Sequence, residues 1–162
     1  MKNSLIKVRF ELDASEWHGH GTETLWAMPM PGSEWPNFQI NNSPFFATGI
    51  NYLDVVAAKP TGHDQIFDFV TVTERSGHST YMLLMQLAEA RTGVYWGMLE
   101  RMGCSYESAQ ISLSIGERLL YSVDVPPTAD IYEVYEMLER GENEGVWLFQ
   151  EGHADIPESR TA

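Results

Sequence analysis

The hydrophobic rhythm of this chain changes once, and the change brackets Arg75-Ser76-Gly77-His78-Ser79-Thr80. Before this stretch, apolar residues recur at period two in short runs broken by turn residues. After it, two stretches at helical spacing alternate with further period-two runs. Such a switch predicts a sheet-rich half followed by a half that mixes helix and sheet. The switch point is itself polar: five small polar or ionisable side chains flank one glycine between two strand-like runs.

In the first half, Ile6, Val8, Phe10 and Leu12 alternate with Lys7, Arg9, Glu11 and Asp13, a strand with one wet face. Glu23 to Met28 reads as a second strand, Phe38-Gln39-Ile40 as a short third, Val55 to Ala58 as a fourth and Ile66 to Thr73 as a fifth. Turn clusters separate them at Trp17–Thr22, Pro29–Gly32, Asn41–Pro44 and Gly62–Asp64. Short strands at this spacing predict a small, strongly bent antiparallel sheet or barrel.

In the second half, Thr80–Leu87 is strand-like. Tyr95, Met98, Leu99 and Met102 then share one helical face, and Gly103 supplies a stop. Ala109–Ile115 and Leu119–Val125 alternate as strands around Gly116-Glu117. Asp130 and Glu133 have capping-box spacing ahead of the stripe Ile131, Val134, Leu138, which Gly141 ends. Val146–Gln150 is the final strand. The order β-α-β-β-α-β predicts a ferredoxin-like sandwich. The fold class is therefore α+β, with a barrel-like subdomain at 1–76, a ferredoxin-like subdomain at 77–152 and a frayed polar tail at 153–162.

With 43% hydrophobic residues, the chain has ample material for a core. Ten Lys and Arg against 23 Asp and Glu give a net charge of −13. Such a surface repels phosphate backbones and anionic lipid and attracts basic partners. Nucleic-acid binding is disfavoured further because the predicted sheet lacks an aromatic and basic strand signature. The single cysteine, Cys104, excludes an intramolecular disulfide and reads as a buried structural thiol. The N-terminus leads into a strand, not a signal segment, and no apolar run approaches the roughly 20 residues of a membrane span. These features predict a cytoplasmic protein with no cofactor, no bound metal and no membrane association.

Two groups of side chains are candidates for binding. Arg75, Ser76, Gly77, His78, Ser79 and Thr80 could hold an anionic ligand: a glycine turn can aim backbone N–H groups inward, and hydroxyls and a guanidinium add donors. His78 could act as a general base toward a hydroxyl. The plainer reading is a turn whose side chains bond local backbone. Glu133, Glu136 and Glu139 on the second predicted helix form a solvated face or an acidic docking surface for a basic protein partner. His18 and His20, two residues apart, could join His63 or a carboxylate around a metal, but a glycine-rich loop lacks ligand geometry and exposed loop histidines are expected. Trp17, Trp26, Trp35, Phe38, Phe45 and Phe46 are expected to fill the barrel core.

Several segments together resemble a bacterial family, the domain of unknown function 4265. They are Glu23-Thr24-Leu25-Trp26-Ala27, Asn41-Asn42-Ser43-Pro44-Phe45-Phe46-Ala47, Gly49-Ile50-Asn51-Tyr52-Leu53-Asp54-Val55-Val56, the Ser76–Thr80 cluster and Gly141 to Trp147. The family usually has Asn-Ile-Pro-Phe where this chain has Asn42-Ser43-Pro44-Phe45. The resemblance implies a small bacterial cytosolic protein and marks Ser76–Thr80 as characteristic, and it implies no established activity. Small size, acidity and the lack of a coherent catalytic set favour a non-enzymatic binding protein, such as an immunity or inhibitor protein acting through its acidic surface. The alternative is a small-molecule sensor or enzyme using the Ser76–Thr80 turn.

Overall fold

A computed structural model describes residues 4–31 and 36–156. Five strands come first: β1 (Ile6–Glu11), β2 (Thr22–Pro29), β3 (Asn37–Ile40), β4 (Val55–Pro60) and β5 (Ile66–Glu74). They close into a barrel in sequence order. Each sequential pair is antiparallel, while β1 and β5 pair in parallel. This follows from parity: when each strand reverses the one before it, the first and fifth point the same way. The barrel is therefore mixed, with one parallel seam. Arg9 and Asp68 are register partners across that seam and form an ion pair at 2.8 Å on its outer surface.

The period-two pattern determines the barrel core. Ile6, Val8, Phe10, Leu25, Ala27, Phe38, Ile40, Val56 and Ala58 all point inward. Of the five described rings expected there, only Phe38 belongs to that core. Trp17 and Trp26 are 39% and 46% exposed. Trp26 stands opposite Lys7 on the outer face, with the ammonium 5.0 Å from its ring. Phe38 is buried, Phe45 and Phe46 are half-buried, and Trp35 lies outside the described residues.

The second half runs β6 (Ser79–Met85), α1 (Thr92–Arg101), β7 (Ser105–Leu113), β8 (Gly116–Val125), α2 (Ile131–Asn143) and β9 (Leu148–His153). The strands form one antiparallel sheet in the order β7-β8-β6-β9. Both helices cover one face. Tyr81, Leu83, Met85, Tyr121, Val123 and Val125 share a core there with Trp96, Leu99, Val134 and Leu138. The protein is thus α+β, a five-stranded barrel followed by a ferredoxin-like sandwich.

Three local details depart from the sequence pattern. Gly141 does not end α2, which continues to Asn143. Gly141 is buried, and a Cβ there would stand 2.6 Å from Cζ2 and Nε1 of Trp147. The glycine serves a close approach, and the stop comes later, at Gly145 with φ +77°. The final strand begins at Leu148, not Val146, because Val146 and Trp147 are drawn into the core and Trp147 Nε1 donates to the Leu138 carbonyl at 3.0 Å. It runs on to His153, the first residue of the expected tail, of which residues 157–162 lie outside the described residues. Asp130 caps α2 as its spacing suggests, accepting from the N–H groups of Tyr132 and Glu133.

The barrel packs on the sheet face away from the helices. By the pleat, that face carries Thr80, Met82, Leu84, Leu120, Ser122 and Asp124. The barrel covers the Thr80, Ser122 and Asp124 end and leaves the Leu84 end open to solvent.

Candidate functional site

The segment Arg75–Thr80 lies where the two halves meet, and most of its polar atoms have protein partners. Arg75 Nη1 donates to the Gly49 carbonyl at 2.9 Å and to Asp54 at 3.0 Å. The Ser76 N–H donates to Asp54 at 2.9 Å, and its hydroxyl donates to the Tyr52 carbonyl at 2.7 Å. The Ser79 hydroxyl accepts from the Asp155 N–H at 2.8 Å. The Thr80 hydroxyl donates to Asn51 Oδ1 at 2.6 Å, and Asn51 Nδ2 lies 2.8 Å from His153 Nδ1. Gly77, at φ +90°, takes the turn that a side chain would strain.

The hub of this network is Gly49–Asp54, which carries no obvious chemical signature in the sequence. Asn51, Asp54 and Thr80 are fully buried. Asp54 accepts from the N–H groups of Asn51 and Ser76 and from Arg75, so its buried charge is answered on each side. A second clamp lies at Asn42–Ala47. One carboxylate, Glu23, accepts from the N–H groups of Phe45, Phe46 and Ala47 at 2.7, 3.0 and 2.8 Å. Ser122 donates to the Pro44 carbonyl at 2.5 Å, and Glu107 accepts from the Ser43 N–H at 3.1 Å. Apart from Gly141–Trp147, which packs on the helix side, the segments that carry the family resemblance therefore converge on the joint between barrel and sheet.

His78 is the member of the cluster that faces a cavity wall. Its Nδ1 is 2.8 Å from Asp124 Oδ1, and its ring meets Tyr52 edge-on at 5.3 Å. Its N–H donates to the Ser76 hydroxyl at 3.1 Å. Burial raises the Asp124 pKa, against the opposing pull of His78. Tyr52 and Asp124 line a polar cavity of about 310 Å³ together with Asn41, Asn42, Ser43, Ser105, Glu107 and Ser122. The Ser76 hydroxyl is committed to Tyr52 and the Ser79 hydroxyl accepts from Asp155, so the pair has the form of a base and its orienting acid with neither neighbouring hydroxyl aligned on it.

The histidines serve local structure. His18 is buried, not exposed, and its Nδ1 accepts from the His20 N–H at 2.9 Å. Both rings pack on Phe46. His63 Nδ1 accepts from the Gln65 N–H at 3.1 Å. Among the described residues, no three His, Cys, Asp or Glu side chains are grouped to hold a metal ion. Burial pushes the Cys104 thiol up to about 12, which makes it unreactive at neutral pH.

An apolar concavity lies on the open end of the sheet. It encloses about 410 Å³ and is lined by Met82, Leu84, Leu113, Ser114, Ile115, Leu120, Leu148, Phe149, Gln150 and Trp17. Trp17 comes from the barrel half and reaches across to β9, where Nε1 donates to Gln150 Oε1 at 2.8 Å. Its edge packs on Phe46 at 5.9 Å. Ile115 and Leu148 are 62% and 61% exposed at the groove mouth. Sequence periodicity places Leu84, Leu120 and Leu148 on strands but gives no sign that Leu148 is left exposed and Leu84 half-exposed over a buried Leu120. On the opposite side of the sheet, Glu133, Glu136 and Glu139 stand exposed on α2 with Tyr135 among them.

Among the described residues, no helix is long and apolar enough to cross a membrane. A solved structure of a hypothetical protein from Neisseria gonorrhoeae resembles this chain with a TM-score of 0.70 at 19% identity, covering 97% of this chain and 99% of that one. At that identity the likeness is one of fold. None of the curated proteins matches the chain. The sequence profile of the Domain of unknown function (DUF4265) matches residues 23–149, and the chain belongs to that family.

Proposed function

We propose that this protein is a non-enzymatic binding protein whose ligand site is the apolar groove on the open end of the sheet. The groove carries this reading. Its volume of about 410 Å³ lies in the range of small-molecule pockets, about 300–1,000 Å³, and its lining is mostly apolar with few polar groups. Covering Ile115 and Leu148 alone would contribute on the order of 2 kcal/mol each. The bonding of the Ser76–Thr80 cluster supports the same view, since the Arg75, Ser76 and Thr80 donors that could hold a ligand are instead spent on Gly49, Tyr52 and Asn51 of the barrel half.

N-phenyl-1-naphthylamine, a neutral apolar fluorophore, tests this. It should bind saturably at one site per chain. Leu148→Glu, at an exposed position, should abolish binding while leaving the circular dichroism spectrum and melting temperature unchanged. Saturable binding that persists in Leu148→Glu, or no binding to the wild type, would contradict the assignment.

A second reading is an immunity or inhibitor role that neutralises a basic protein partner through α2. The exposure of Glu133, Glu136 and Glu139 around Tyr135 favours it. This surface and the groove lie on opposite faces of the sheet, so each can be disabled without the other.

A further inference from the structure

We infer that the groove takes an amphiphilic monocarboxylate, with its apolar body under Trp17 and its carboxylate against Arg118; this rests on the groove being the ligand site. A second cavity of about 210 Å³ adjoins the groove and shares Leu84, Ile115 and Leu148 with it. Arg118 lines this second cavity. It lies two residues before Leu120 on β8 and opposite Ile111, so it projects from the same sheet face as the groove floor.

Arg118 is unlike most arginines of this chain. Arg9, Arg75, Arg91 and Arg140 each pair with a carboxylate. Among the described residues Arg118 forms no ion pair, although the chain has 23 Asp and Glu. Its Nη1 donates to the Glu117 carbonyl at 2.9 Å, which fixes one edge of the guanidinium. Glu142, the carboxylate in the same cavity, instead accepts from the Phe149 N–H at 3.2 Å. The site thus has an apolar trough continuous with a cation whose planar fork suits a carboxylate. The net charge of −13 opposes an anion at long range, but screening confines that repulsion to about 8 Å at physiological salt and leaves the contact pair. The same charge disfavours a second copy of the chain as occupant, because both copies would carry it.

Displacement of N-phenyl-1-naphthylamine by decanoate and by decanol, below their micelle concentrations, tests the assignment. Both compounds should displace the fluorophore from the wild-type chain. Arg118→Gln should weaken decanoate by about tenfold, the scale of one charge-assisted hydrogen bond, and leave decanol unchanged. Equal behaviour of the two compounds in wild type and Arg118→Gln would overturn the carboxylate assignment while sparing the groove as a ligand site. Failure of both compounds to displace the fluorophore from the wild type would overturn the amphiphile. A concentration-dependent dimer in sedimentation that Leu148→Glu abolishes would also overturn it, by giving the face to self-association.

Discussion

Replacing Gly141 by alanine separates two physical roles for this residue, because they predict opposite signs. At an ordinary position inside a helix the change adds about 1 kcal/mol of stability through helix propensity. At Gly141 the new methyl would stand 2.6 Å from Cζ2 and Nε1 of the Trp147 ring, well inside van der Waals contact. The ring is buried and held by its N–H bond to the Leu138 carbonyl at 3.0 Å, so it can yield only by giving up that bond or by displacing the core around it. Overpacking costs about 1–3 kcal/mol and the lost bond about 1 kcal/mol. Set against the propensity gain, Gly141→Ala should destabilise by about 1–3 kcal/mol, which lowers the melting temperature by about 6 °C for a chain of this size. Gly97→Ala is the control. Gly97 lies in α1 with open space where its Cβ would be, so alanine there should stabilise. Urea denaturation followed by circular dichroism measures both. A Gly141→Ala protein as stable as the wild type, or more so, would refute the close-approach explanation.

Three further outcomes follow from the joint and the surface. Glu23→Gln removes the charge from a group that accepts three backbone N–H bonds and turns its amide toward one of those donors, so stability should fall by about 2–3 kcal/mol in urea titration. Burial, with a smaller contribution from Arg75, holds His153 below its ordinary value of 6.5. The unfolded chain therefore takes up that proton first, and stability present above pH 6.5 should be lost as pH falls through the lowered value; in His153→Asn this part of the stability profile should flatten. If α2 docks a basic partner, the double reversal Glu136→Lys and Glu139→Lys should slow association more than it speeds dissociation, with a salt dependence that stopped-flow mixing resolves; salt-insensitive association would count against that surface.

Local patterns in the sequence carried the elements well. The alternation Ile6, Val8, Phe10 predicts a half-buried strand and gives one. Asp130 caps α2 at the position its spacing suggests, and Gly103 ends α1 at φ +103°. The βαββαβ order and the barrel follow from such signals, and the parallel seam follows from the odd strand count. Local pattern is silent on which surfaces meet. A glycine after a helical stripe looks the same whether it breaks the helix or admits a ring, and only Trp147 distinguishes the two at Gly141. Trp17 reads as one more core ring, yet its bond to Gln150 spans 133 positions and makes it a groove wall. The polar cluster at Arg75–Thr80 stood out by composition, but its partners Asn51, Asp54 and His153 are distant in sequence, so its structural use was hidden. Arg118 sits in a hairpin beside Glu117, where a solvated charge is the simplest expectation.

The central claim, that the open end of the sheet is a ligand site, is tested most directly by methyl NMR of the Met, Leu and Ile-labelled chain titrated with decanol. The account predicts saturable shifts at Met82, Leu84, Leu113, Ile115, Leu120 and Leu148, with Ile131 and Leu138 on the helix side unmoved. Shifts centred on Ile40 and Ile50 in the barrel, or no saturable shift at any methyl, would contradict it.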